Sequence, residues 1–63
     1  MEYKVYVKMK FGIDDTFDAE YSGETYTNKK EAIKELKEAK NHCKNDNDAI
    51  YAYIETSDYD YIF

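Results

Sequence analysis

Tyr3, Val5, Val7, Met9 and Phe11 fall on one side of the extended segment YKVYVKMKF, and Lys4, Tyr6, Lys8 and Lys10 fall on the other. A period of two is the mark of a strand with one buried face. After GIDDT a second alternating run sets Phe17, Ala19 and Tyr21 against Asp18 and Glu20. Placing Phe11 opposite Phe17 puts Met9 against Ala19 and Val7 against Tyr21. The same register opposes Lys10 with Asp18, Lys8 with Glu20 and Lys4 with Glu24. One choice that satisfies both faces predicts a hairpin in that register. Gly23 then lies inside the second strand, where a bulge is expected.

The period changes after Tyr26. Asn28 followed by Glu31 makes a capping-box-like start, and Asn45 is a suitable stop. Between them Ala32, Ile33, Leu36, Ala39 and Cys43 fall within an arc of about 120° at 3.6 residues per turn. This predicts one amphipathic helix able to cover one face of a small sheet. The polar run KNDND follows, and AIYAYIE returns to a period of two. Ile50, Ala52 and Ile54 suit the face beneath the helix, leaving Tyr51, Tyr53 and Glu55 on the other. A three-residue turn, Thr56-Ser57-Asp58, would oppose Tyr53 with Tyr61 and Tyr51 with Phe63. A two- or four-residue turn would oppose Glu55 with Asp60, which is unfavourable. Asp58 is the residue of this turn that tolerates a left-handed conformation.

The predicted architecture is α+β: a four-stranded, mainly antiparallel sheet in ββαββ order with one helix on one face, in a single domain spanning 1–63. In order of elements it resembles the small immunoglobulin-binding domains of bacterial surface proteins and β-grasp folds more broadly. A strand order with the first strand beside the third is equally compatible. The helix-free face is expected to carry Tyr6, Tyr51, Tyr53, Tyr59, Tyr61 and Phe63, more rings than strand propensity requires. A contiguous apolar patch on a small protein marks a contact surface, and tyrosine is a frequent interface residue.

Composition narrows the function. At 63 residues there is room for one core. The chain is 37% charged with a mean hydropathy of -0.93, yet it has 17% aromatic residues and no proline. Disordered chains are aromatic-poor, so a folded domain is expected. The 14 acids outnumber the 9 bases, for a net charge of -5. That argues against a general nucleic-acid binder, which needs a basic face, and suits a basic protein partner. Cys43 is the only cysteine; an intrachain disulfide framework is excluded and a reducing compartment is favoured. The charged, alternating MEYKVYVKMK is neither a signal peptide nor a membrane span. A cytoplasmic location is the expectation.

No catalytic constellation stands out, and no catalytic, cofactor or metal residue is assigned. His42 and Cys43 are neighbours in sequence, but adjacent helical residues diverge by about 100°; a core cysteine and a surface histidine are expected. NDND lacks the central glycine and acidic twelfth position of an EF-hand. Asp14, Asp15 and Asp18 could hold magnesium as in nucleases, although turn chemistry already accounts for acids there. KKEAIKELKEAK balances its lysines with Glu31, Glu35 and Glu38, as an ordinary solvated helix face does.

In size, acidity and richness in Asp, Asn and Tyr, the chain is similar to small phage-encoded anti-defence proteins, including anti-CRISPR inhibitors. That resemblance implies a non-enzymatic inhibitor acting in the host-cell cytoplasm as a DNA mimic, occupying a basic nucleic-acid-binding site. Asp14, Asp15, Asp18, Glu20, Glu24, Glu55, Asp58 and Asp60 are the candidate acidic contacts, provided they line one edge. The alternative is a structural or regulatory homodimer formed through the tyrosine face. A nucleic-acid-binding protein using rings interleaved with Lys4, Lys8 and Lys10, or a metal-dependent nuclease, ranks below both.

Overall fold

The computed structural model describes Met1–Phe63. Its elements are β1 (Tyr3–Phe11), β2 (Asp15–Tyr26), α1 (Lys29–Lys44), β3 (Ala49–Thr56) and β4 (Tyr61–Ile62). The strands form one antiparallel sheet in the order β2-β1-β3-β4, with the helix packed on one face. The expected α+β arrangement is therefore what the chain adopts, with β1 beside β3. No helix is long and apolar enough to cross a membrane.

The core lies between α1 and the two central strands. Val5 and Val7 from β1, Ala52 and Ile54 from β3, and Ala32, Leu36 and Ala39 from α1 form one buried cluster. Alanines on the helix let its backbone approach the sheet closely, so short side chains suffice to fill the gap. The helix starts where the sequence signals it: Asn28 Oδ1 accepts the Lys30 N–H at 2.8 Å. That bond satisfies one of the free amides of the first turn. It stops at Asn45, whose N–H reaches the His42 carbonyl.

Both hairpins keep the expected facing of their side chains but differ in register. In the first, Met9 opposes Phe17, Val7 opposes Ala19 and Lys8 opposes Asp18. The strands have slipped by two residues relative to the expected alignment. Gly12 at φ 72 permits a tight connection in which Phe11 already faces Asp15, and a shorter loop costs less chain entropy. An even slip preserves parity, so residues before the bulge keep their faces; beyond it Lys4 opposes Thr25 and not, as expected, Glu24. Phe11 and Phe17 meet diagonally instead, edge to face at 6.0 Å. Lys10 opposes Thr16, not Asp18, and the ion pairs are Lys8–Asp18 at 3.3 Å and Lys4–Glu20 at 3.5 Å. Further along, β2 runs from Glu20 to Thr25 while β1 runs only from Tyr6 to Lys4. Gly23, at φ 74, lies in this bulge, in a conformation that costs glycine nothing sterically.

The closing turn has the expected three residues but sits one position later. The Thr56 N–H donates to the Asp60 carbonyl and the Tyr59 N–H to the Thr56 carbonyl, each at 2.9 Å. Glu55 consequently opposes Tyr61, and Ile54 opposes Ile62. Thr56 anchors the shift: it is buried, and its Oγ1 accepts the Asp58 and Asp60 N–H groups at 3.3 and 3.1 Å. The left-handed residue is Tyr59, at φ 64, and not Asp58. Phe11, Phe17 and Ile50 keep the helix-side parity but remain exposed, because the helix does not cover them.

Candidate functional site: the helix-free sheet face

Four strands contribute to the uncovered face. β1 supplies Lys4, Tyr6 and Lys8, opposite Glu55, Tyr53 and Tyr51 of β3. β2 supplies Asp18 and Glu20, and the β4 end adds Tyr61 and Phe63. The rings converge on Tyr53. Tyr6 stacks on it at 5.6 Å with an interplanar angle of 23°. Tyr51, Tyr61 and Phe63 surround it at 5.9, 5.7 and 5.8 Å. Tyr53 is thereby only 8% exposed, although no secondary-structure element covers it.

Its hydroxyl end is also occupied. The Tyr53 O–H donates to Asp18 Oδ1 at 2.9 Å, and Lys8 Nζ lies 3.3 Å from the same oxygen. Burial, and then the bond to Asp18, push the phenol well above the usual tyrosine range. The Glu55 carboxylate beside Tyr61 raises that phenol as well. Lys8, Asp18, Tyr51, Tyr53, Tyr61 and Phe63 together line a shallow cleft of about 220 Å³.

Five of the six expected ring residues are therefore brought together. Tyr59 is not among them: it projects from the turn, 79% exposed, outside the ring cluster. Tyr53 belongs to the face but is its buried centre, not an exposed contact. The outer surface is Tyr51, Tyr61 and Phe63.

The acidic candidates are not gathered along one edge. Asp14 and Asp15 lie at the β1–β2 turn. Asp58 and Asp60 lie at the β3–β4 turn, beyond the far end of β1 where Tyr3 opposes Thr56. Nine residues of strand put about 27 Å between those ends. Asp18 and Glu20 are engaged by lysines, Glu24 lies in the bulged stretch of β2, and Glu55 faces Lys4 and Tyr61.

The other chemical candidates separate. His42 is exposed, 3.8 Å from the Asp46 carboxylate and edge-on to Tyr21. Cys43 is half-buried against the core; burial and then Asp46 raise its thiol, which disfavours the reactive thiolate. Asp46 Oδ1 accepts the Asp48 N–H at 2.9 Å, a turn-forming bond. Asp15 Oδ1 likewise accepts the Thr16 N–H. No three His, Cys, Asp or Glu side chains are grouped to hold a metal ion. The Asp18–Tyr53 hydrogen bond is the pairing on this face that sequence reasoning missed. The correct hairpin register would have set Asp18 beside Lys8 and so two strands from Tyr53. No protein family, curated protein or solved structure matches the chain.

Proposed function

We propose that this domain is a non-enzymatic protein-docking module whose contact surface is the helix-free sheet face. The observation that carries this reading is the ring cluster around Tyr53. Its centre is fixed by four neighbours and Asp18, while Tyr51, Tyr61 and Phe63 stay open. A rigid aromatic patch with a satisfied polar rim is the composition of an interface hot spot. The net charge of -5 favours a basic partner. Inhibition of a nucleic-acid-binding protein is the specific form that the resemblance to anti-defence proteins suggests.

Affinity capture with the wild-type chain, Tyr61→Ser and Phe63→Ser (each alone), and a helix-face control, Lys34→Ser, tests the face. A partner held by wild type and the control but lost by both ring variants supports it; equal retention by all four rejects it. Competition between that partner and DNA then tests the inhibitor form. A second copy is the other occupant, favoured because Lys8–Asp18 and Lys4–Glu20 give the face both signs of charge. Sedimentation at high concentration separates the two, a dimer lost in Tyr61→Ser identifying self-association.

A further inference from the structure

The β2 edge of the sheet is open. β2 is an internal strand, joined in sequence to β1 and α1, and it pairs with β1 alone. Two hydrogen bonds fix which of its backbone groups face outward. The Lys10 N–H donates to the Asp48 carbonyl and the Ser57 N–H to the Glu2 carbonyl, so the even-numbered residues of β1 turn toward β3. Its odd-numbered residues bond β2, Val7 to Ala19 and Met9 to Phe17. Thr16, Asp18 and Glu20 therefore turn their amide and carbonyl groups away from β1. Asp15 Oδ1 already accepts the Thr16 N–H at 2.8 Å. Asp18 and Glu20 are left presenting donors and acceptors to an edge with no strand beside it.

A groove of about 470 Å³ lies beside this edge on the helix side, floored by Val7, Met9 and Ala19 and rimmed by Tyr21, His42 and Asp46. It exists because α1 packs over β1 and β3; no β2 residue belongs to the buried core, and the short Ala19 side chain leaves space above it. The helix charges, balanced in number, are not balanced in place. At about 100° per residue, Glu31, Glu35 and Glu38 occupy one flank of α1 and its lysines the other. Glu35 lies beside Tyr26 and His42 beside Tyr21, so the glutamate flank is the one that overlooks β2. None of these three glutamates takes part in an ion pair. On the other side of the same edge the Asp18 and Glu20 side chains stay 42% and 47% exposed, although Lys8 and Lys4 lie beside them.

We propose that the β2 edge receives an extended basic segment of a partner protein, added as a strand antiparallel to β2. The residues opposite Asp18 and Glu20 exchange main-chain hydrogen bonds with them. Their side chains turn to the helix-free face, where lysine or arginine meets the two carboxylates. The residue between them, opposite Ala19, turns to the helix side and places an apolar side chain in the groove. The recognised pattern is basic–apolar–basic in extended conformation, a strand addition in which the main chain supplies affinity and alternate side chains supply specificity. A second copy would set Asp18 and Glu20 against the same acids, and a phosphate backbone would be repelled by them. β1 separates this edge from the strands that carry Tyr51 and Tyr61. The inference therefore goes beyond docking through the rings, and the two fail separately.

The test titrates the blocked peptide acetyl-Thr-Lys-Val-Lys-Thr-amide into isotope-labelled protein, with amide exchange followed by NMR. Saturation is expected to slow exchange of the Asp18 and Glu20 amides by about tenfold and to shift the resonances of Ala19 and Tyr21. Glu20→Gln is expected to weaken binding about threefold through the lost charge. Glu20→Pro is tolerated by the fold, because that N–H faces solvent. It is expected to weaken binding about tenfold or more, since a main-chain bond is lost as well. Tyr61→Ser leaves binding within about twofold. Asp18 and Glu20 exchange unchanged by the peptide overturns the proposal. So does equal binding of the Glu-Val-Glu analogue, or equal binding by Glu20→Pro and Glu20→Gln. Loss of binding in Tyr61→Ser assigns the peptide to the ring face and overturns it too, as does slowing that follows protein concentration alone, the mark of a second copy.

Discussion

The two faces of the sheet are closed by different means. On one, α1 brings Ala32, Leu36 and Ala39 onto Val5, Val7, Ala52 and Ile54, and all seven are buried. On the other no element lies, and the rings close on each other; Tyr53 is buried while Tyr51, Tyr61 and Phe63 remain open. The first seal is complete within the domain. The second is complete only at its centre. The same alternation along β1 and β3 thus produces one surface whose apolar area is used in folding and another whose apolar area is still available for contact.

The sharpest way to break that comparison is to damage the helix side. Ile54 is fully buried beneath α1, and Ile54→Ala is expected to cost about 2–5 kcal/mol in lost burial and cavity formation. A domain of this size has a total stability of only about 3–9 kcal/mol. The variant is expected to melt well below the wild type, as followed by far-UV circular dichroism on heating. A loss below about 1 kcal/mol would mean that the helix side is not where the fold is held.

What the sequence made legible follows from which interactions are local. Asn28, the apolar arc from Ala32 to Cys43, and the alternation in β1 and β3 each act within a few residues, and each element formed where its pattern lies. Register did not follow. Two alignments of a hairpin that differ by an even number of residues keep the same faces, and charge pairs exist in both: Lys8 finds Asp18 as readily as Lys10 could. Backbone conformations at Gly12 and Tyr59, and the burial of Thr56, decide between them. For the site, face membership was legible for Tyr6, Tyr51, Tyr53, Tyr61 and Phe63. The division into a buried centre and an open rim was not, because it depends on the contact of Tyr53 with Asp18, 35 residues away.

Tyr53→Phe tests that division at the next level of effect. It keeps the ring packing and removes the bond to Asp18, leaving the carboxylate to Lys8. A cost of about 1.5–3 kcal/mol at neutral pH is expected for a hydrogen bond to a charged acceptor. The substitution should also change the response to alkali. Because the folded phenol is held above its unfolded value, its contribution is fully present below about pH 10. It is lost as pH rises from there toward the folded pKa, since the unfolded chain ionises first. Urea midpoints above about pH 10 should therefore fall less steeply in Tyr53→Phe than in wild type. Parallel falls would show that Tyr53 is not the protected phenol.

Tyr59→Gly probes a ring that the cluster does not hold. Tyr59 carries a left-handed backbone, which costs a non-glycine residue about 1–2 kcal/mol, partly offset by the greater chain entropy glycine loses on folding. A gain of about 0.5 kcal/mol is expected, seen as a higher urea midpoint with an unchanged slope. Partner capture gives the independent reading. Capture that falls while stability rises would mark Tyr59 as a contact held in an unfavourable conformation for function; unchanged capture would confine the docking surface to the ring cluster.

Tyr61→Ser should change stability least, and for that reason it separates the two faces most cleanly. Tyr61 is more than half exposed, at 56%, and its loss leaves Tyr53 in contact with Tyr6, Tyr51 and Phe63. A change within about 0.5 kcal/mol is expected, whereas any partner resting on the ring rim loses one of its three open aromatic contacts. If the urea midpoint instead fell as far as it does for Tyr53→Phe, the rim would be part of the fold's own seal. The two sheet faces would then differ in side-chain size and not in purpose. A midpoint that stays in place while capture is lost is the outcome that a folding surface cannot produce and a docking surface must.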